Sequence, residues 1–201
     1  MPYAAKPPFR PAAWAGFALL LLGTYLLYRP GLGGALYYDD IRPLSGLANV
    51  VDLDSALYYL CSEISGPLGR PLSMLSFLLH IEDWPGSIEN ILLFNVLLHL
   101  TTGTLVALLA HRLLSLCGLK GSTLAWIAIG ASALWMLMPL QVSSSLIAVQ
   151  RMATLSAFFV LAGLLIHLQG IAIEDRRPAL GAALQAFGLV GFTLLAMLAK
   201  E

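Results

Sequence analysis

Five long stretches of this sequence carry no charged residue at all. Pro11–Tyr28 runs for 18 residues, Asn90–His111 for 22, Gly121–Gln150 for 30, Met152–Ile173 for 22 and Pro178–Ala199 for 22. About 20 apolar residues at ~1.5 Å each cross the ~30 Å hydrocarbon core of a bilayer. A chain built mainly from such runs lacks the polar surface to cover a water-soluble globule. Its residues are 59% hydrophobic and 11% charged, against roughly 45–50% and 25% in soluble domains. It is therefore an integral membrane protein. Eleven basic and eleven acidic residues balance, and no basic run or basic–aromatic patch marks a nucleic-acid partner.

The 30-residue run would make a helix of ~45 Å, longer than the bilayer core needs. Met138-Pro139 followed by Ser143-Ser144-Ser145 predicts a turn inside it. Five spans are thus expected, near residues 12–28, 90–111, 122–139, 147–170 and 179–198, in a single all-α transmembrane bundle. The first run has the basic start and apolar core of a signal peptide. Its core is long, however, and Tyr25–Leu36 offers no convincing small-residue cleavage site.

Basic residues set the expected orientation. With a cytoplasmic N-terminus, the inside holds Lys6, Arg10, Arg112, Lys120, Arg176 and Arg177 against two acids, Glu174 and Asp175. Five basic and nine acidic residues then lie outside, which satisfies the positive-inside rule. On this topology Cys61 and Cys117 fall on opposite sides, do not pair, and read as ordinary apolar residues.

Residues 29–89 form a long outer loop that hugs the membrane. From Asp52 to Ile64, Leu53, Ala56, Leu57, Leu60, Cys61 and Ile64 recur at helical spacing opposite Asp52, Ser55, Ser62 and Glu63. With Tyr58 and Tyr59 this predicts an interfacial helix. Gly69-Arg70-Pro71 opens a second, with proline at a favourable first-turn position. Ser73, Ser76 and His80 line a narrow polar stripe on it. Glu82–Asn90, with Trp84-Pro85-Gly86, reads as a turn.

The parity of the crossings brings Asp39, Asp40, Arg70, Arg151, Lys200 and Glu201 to one level, the outer membrane boundary. Ionisable groups at membrane depth are costly and tend to mark sites. A carboxylate pair can supply a general base, with repulsion raising one pKa of the coupled pair. Isolated cations can hold a lipid phosphate. Plainer readings stand beside these: a solvated Asp-Asp loop, an Arg70 snorkelling to headgroups, a stop signal or ion pair at Lys200-Glu201. Arg151 resists a plain reading, because Gln150-Arg151 interrupts 52 residues otherwise free of charge. Asn95 and His99, at i and i+4, suit interhelical hydrogen bonds better than a metal, since no third ligand is visible. No phosphate loop, dinucleotide fingerprint, zinc spacing or nucleophile elbow is present.

The order Tyr37-Tyr38-Asp39-Asp40, Gly69-Arg70-Pro71-Leu72, Asn95-Val-Leu-Leu-His99, Pro139, Val149-Gln150-Arg151-Met152 and Ala199-Lys200-Glu201 resembles the N-terminal half of polytopic GT-C class glycosyltransferases. The nearest likeness is to bacterial pilin and protein O-glycosylation enzymes and to tetratricopeptide-bearing O-mannosyltransferases. More distantly it is similar to protein O-mannosyltransferases and lipid A aminoarabinose transferases. The resemblance covers most of residues 12–201. It implies a polyprenyl-phosphate-linked sugar donor, a protein or glycolipid acceptor, and transfer at the outer face of a bacterial inner membrane. It places the catalytic base at Asp39 or Asp40 and Arg70 near the donor phosphate. Arg151 and Lys200 would complete the positive pocket, with Gln150, Glu201, His99 and Asn95 in support. No metal is assigned, since some relatives use one and others do not. Met138-Pro139 stands where many relatives have His-Pro. Relatives continue for several helices past the Lys-Glu motif, so an incomplete module is expected, finished by further sequence or a second chain.

Two other classes compete. A non-catalytic membrane protein could dock a partner through the outer loop. Gly181, Ala182, Gly188 and Gly191 on the last span would suit helix packing in either case. A transporter fragment is disfavoured, because the charges gather at one boundary and no inverted repeat is evident.

Overall fold

A computed structural model describes residues 11–63 and 67–201. Lys6, Arg10 and Ile64, used above for orientation and for the first interfacial stripe, lie outside the described residues. The described chain is helical, without strands. Helix α1 (Pro11–Tyr28) leads through a 3-10 turn to α2 (Tyr38–Ser45), α3 (Leu53–Leu60) and α4 (Pro71–Leu78). The long helix α5 (Ile88–Leu116) follows, then α6 (Gly121–Met136), α7 (Leu140–Leu146), α8 (Arg151–Ile173), α9 (Pro178–Ala186) and α10 (Phe192–Ala199). Four helical stretches are long and apolar enough to cross a membrane: Pro11–Gly33, Ile88–Leu116, Ala148–Ile173 and Pro178–Ala199. Helices α6 and α7 make a fifth if taken together, bent by 69° at the Met138-Pro139 break.

That bend releases the Met136 carbonyl from its helix. Two side chains capture it: Tyr28 Oη donates at 3.2 Å and His99 Nε2 at 3.1 Å. One turn away on α5, Asn95 Nδ2 donates to the carbonyls of Ile147 and Ala148 at 3.1 and 3.2 Å, where the chain breaks again before α8. Inside a bilayer each such carbonyl must find an internal partner. The i, i+4 pair on α5 supplies both, as the interhelical reading of these residues expects.

Helix α5 is the most enclosed span and packs against α6 and α8. Helix α8 is clasped on its other side by α9 and α10. Glycines let this second contact close: a Cβ on Gly163 would meet the Gly188 carbonyl at 2.5 Å, and one on Gly170 the Gly181 carbonyl at 2.7 Å. Of the small residues expected to pack here, Gly181 and Gly188 do so. Ala182 is exposed and Gly191 faces Phe187 of its own helix. Between α9 and α10, Phe187–Gly191 forms one wide π turn, a feature with no periodicity signal in the sequence.

The main core does not lie at mid-span. Tyr28, Leu44, Leu47, Tyr59, Met74, Phe77, Ile91, Leu92, Val96 and Met152 are buried together where the first loop folds onto the helix ends. Helix α4 buries a polar stripe beside Met74 and Phe77. Ser73, Ser76 and His80 face the protein, while Leu75 and Leu79 are 49% and 69% exposed. This is the polarity expected beside lipid. In α3, Leu53, Leu57 and Tyr58 face out as expected for an interfacial helix, but Tyr59 turns in and donates to the Pro43 carbonyl at 2.9 Å. Helix α2 was not foreseen; Pro43 in its last turn and two adjacent acids mask its pattern.

Candidate functional site

At the loop end of the bundle, α2, the N-terminus of α4, the head of α8 and the C-terminus of α10 surround a cavity of about 520 Å³. Asp39, Arg42, Glu63, Arg70, Gln150 and Lys200 bring its polar chemistry, and Tyr38, Ile41, Pro43, Val149 and Met152 complete the wall. Three cations and two carboxylates thus share one chamber.

The two aspartates, equivalent in sequence, are not equivalent in space. Asp39 is exposed and lines the cavity. Asp40 is 1% exposed, and both its oxygens are engaged. Its Oδ2 accepts the Tyr37 N–H at 2.9 Å, capping the first turn of α2, and its Oδ1 accepts the Val149 N–H at 2.7 Å. Successive helix residues point about 100° apart. With Asp40 pinned to the segment before α8, Asp39 is the carboxylate left facing the chamber.

Arg70 stands at the N-cap of α4 in the left-handed region, φ 52° and ψ 46°, directly after Gly69 at φ 69°. A non-glycine residue held there costs about 1–3 kcal/mol and is characteristic of functional sites. Its Nη1 donates to Met152 Sδ at 3.6 Å, and its Nε lies 3.6 Å from the Glu201 carboxylate. Lys200 reaches the same wall because α10 is tied to α4: Ser73 Oγ donates to the Ala199 carbonyl at 2.8 Å. Lys200 and Glu201 also head a second, mainly apolar groove along α8, lined by Ala153, Ser156, Ala157, Val160 and Leu161 with Val106 and Trp135.

Arg151 departs from the phosphate-binding role expected for it. It is fully buried and absent from the cavity wall. Its Nε donates to Asn95 Oδ1 at 2.6 Å, Nη1 to the Ser76 carbonyl at 2.9 Å, and Nη2 to His80 Nε2 at 3.2 Å and the Ile91 carbonyl at 2.8 Å. The rings of Phe77 and Phe94 lie 4.7 and 4.3 Å from its Cζ. Four of the guanidinium's five donors are spent on fastening α4 and α5 to α8. Asn95 and His99 are likewise core residues away from the cavity, the latter stacked 4.8 Å from Trp135. Gln150 is the one supporting residue from this segment that lines the chamber.

Arg42 and Glu63 line the cavity without having been singled out for it. Arg42 had a signal: it follows Asp39 by three residues, and in a helix i and i+3 share a face. Glu63, 6% exposed, had none beyond its place on the polar side of the predicted interfacial helix. Among the described residues no three His, Cys, Asp or Glu side chains gather as a metal group. No protein-family model, no curated protein and no solved structure matches the chain.

Proposed function

We propose that this chain is a membrane glycosyltransferase of GT-C type, or the catalytic N-terminal part of one. It moves a sugar from a polyprenyl-phosphate donor to a hydroxyl on a protein or glycolipid at the outer face of a bacterial inner membrane, with its N-terminus cytoplasmic. The observation that carries this reading is the cavity, where one exposed carboxylate meets three cations beside an apolar groove.

In this mechanism Asp39 accepts the proton of the acceptor hydroxyl as its oxygen attacks the anomeric carbon. The bond from that carbon to the phosphate oxygen breaks, and its electron pair leaves with the phosphate. Arg70, Lys200 and Arg42 neutralise the departing anion, so the leaving group needs no protonation. One displacement inverts the anomeric centre. Asp40 positions Asp39, and the groove below Lys200 gives the isoprenoid chain a path along α8.

The test is saturable binding of an undecaprenyl-phosphate probe to the protein in lipid nanodiscs. Arg70→Ala and Lys200→Ala should each weaken it about tenfold or more, the range for losing one charged hydrogen-bond donor, while Asp39→Asn binds like wild type. Equal binding by all four proteins would reduce the cations to headgroup anchors and sink the proposal.

A further inference from the structure

A second polar cluster, behind the cavity, takes no part in that chemistry. The buried Arg151 guanidinium has no carboxylate in direct contact among the described residues. Its nearest compensation is indirect, through an imidazole. Arg151 Nη2 can only donate, so His80 Nε2, 3.2 Å away, must be the lone-pair nitrogen. The imidazole proton is then on Nδ1, and it goes to Asp83 Oδ2 at 2.7 Å. Asp83 is held in turn by Asn90 Nδ2, which donates to Oδ1 at 2.6 Å. The order is carboxylate, neutral imidazole, guanidinium.

We infer that His80 is a proton-operated latch: its neutral imidazole fastens the turn after α4 to Arg151, and taking up a proton unfastens that turn. A proton on Nε2 removes the acceptor and sets a second cation against a buried one. The latch stands whatever the cavity binds. Its consequence there, displacement of Arg70 at the other end of α4, rests on the glycosyltransfer reading.

Among the described residues the charges acting on His80 are Asp83 and Arg151, with the buried Glu63 one step further off, acting on Tyr59. Helix α8 presents Arg151. The turn after α4 presents Asp83. Helix α5 presents the Phe94 ring, 5.5 Å from the imidazole, the Ile91 carbonyl to Arg151, and Asn90 through Asp83. From α3, Tyr59 interacts with Arg151 and stays a neutral phenol, because burial raises its pKa. Asp83 stays ionised, held below the usual carboxylate range by its bonds from Asn90 and His80. Burial is the strongest influence on His80 and lowers its pKa; the Asp83 bond opposes this, and Arg151 adds to the lowering.

The sign follows. A released His80 titrates near its ordinary value of about 6.5, and the latched one below it. Latching is therefore complete above that pH. As pH falls through the window between the two values, the released state gains up to about tenfold per pH unit for the single proton taken up.

Hydrogen–deuterium exchange on the protein in lipid nanodiscs, expressed as protection factors to remove the intrinsic pH dependence, reads the latch directly. Protection over residues 71–84 should fall in a one-proton transition on going from pH 7.5 to pH 5. His80→Gln, whose amide can still accept from Arg151, should abolish the transition. Asp83→Asn removes the group that favours protonation and should move the midpoint to more acid pH. Protection that does not change with pH in wild type, or an identical profile in His80→Gln, would overturn the latch. Should His80→Gln fail to fold, Asp83→Asn decides: a midpoint unmoved or shifted upward overturns it. Undecaprenyl-phosphate binding at pH 7.5 is scored separately. Protein that shows the transition but binds no lipid phosphate keeps the latch and loses the glycosyltransfer reading.

Discussion

Replacing Asp40 should damage the fold, whereas replacing its neighbour Asp39 should leave the fold intact. In Asp40→Ala the N–H groups of Tyr37 and Val149 lose acceptors now 2.9 and 2.7 Å away. Each orphaned donor costs about 1–3 kcal/mol, so the pair gives roughly 2–5 kcal/mol once partial rehydration of the exposed Tyr37 is allowed for. Asp40→Asn keeps one acceptor oxygen but turns an NH2 toward the other donor, for about 1–3 kcal/mol. Asp39 is exposed and makes no such bond, so Asp39→Asn should stay within about 0.5 kcal/mol. At roughly 2–4 °C per kcal/mol for a chain of this size, Asp40→Ala should lower Tm by about 4–20 °C and Asp39→Asn by no more than about 2 °C. Thermal unfolding in nanodiscs, followed by tryptophan fluorescence, measures all three. The division of labour between the carboxylates is refuted if Asp39→Asn costs as much as Asp40→Asn, or if Asp40→Ala costs under about 1 kcal/mol.

Gly188→Ala sets a methyl group against the Gly163 carbonyl at 2.6 Å and the His167 nitrogen at 2.7 Å; the helices must separate, at about 1–3 kcal/mol, read as a lower Tm. Arg151→Met leaves four acceptors, on two helices and the turn after α4, without their donor, and should cost about 3–5 kcal/mol. Arg151→Lys should recover only part of this, because an ammonium cannot match the fork, and yield of monodisperse protein will rank the two. Arg70→Gly removes the left-handed strain but also the side chain's contacts and some chain stiffness. Its Tm should move by no more than about 4 °C, one kcal/mol's worth, while lipid-phosphate binding is lost.

The spans were legible because charge-free length is a one-dimensional signal that needs no tertiary knowledge. The Pro139 break and the proline-led start of α4 were legible for the same local reason. The stripe of Ser73, Ser76 and His80 could be seen, and beside lipid its inward direction follows from physics. What Arg151 does was hidden. Its partners at 76, 80, 91 and 95 lie 56 to 75 positions away, and an arginine interrupting an apolar run looks the same whether it faces a ligand or three carbonyl oxygens and an imidazole nitrogen. Which of Asp39 and Asp40 is buried was hidden too, since Asp40 is taken up by the Val149 N–H, 109 residues distant. Arg42 was missed because the helix that puts it beside Asp39 was not recognised.

The wide turn at Phe187–Gly191 amounts to one extra residue in an otherwise regular rod. Each α-helical residue advances the chain by about 100° and 1.5 Å, whereas the wide turn absorbs its extra residue locally through i→i+5 bonding, so its width sets the angular phase of everything after it. Tightening it to plain α winding with every residue kept would make the extra residue an ordinary helical step. If the Gly163–Gly188 contact stays anchored, α10 would then rotate by about a quarter turn and advance by about 1.5 Å. Ala199 would leave Ser73, and Lys200 would swing off the cavity wall. The cation at position 200 is thus aimed from ten residues upstream, by a change in winding.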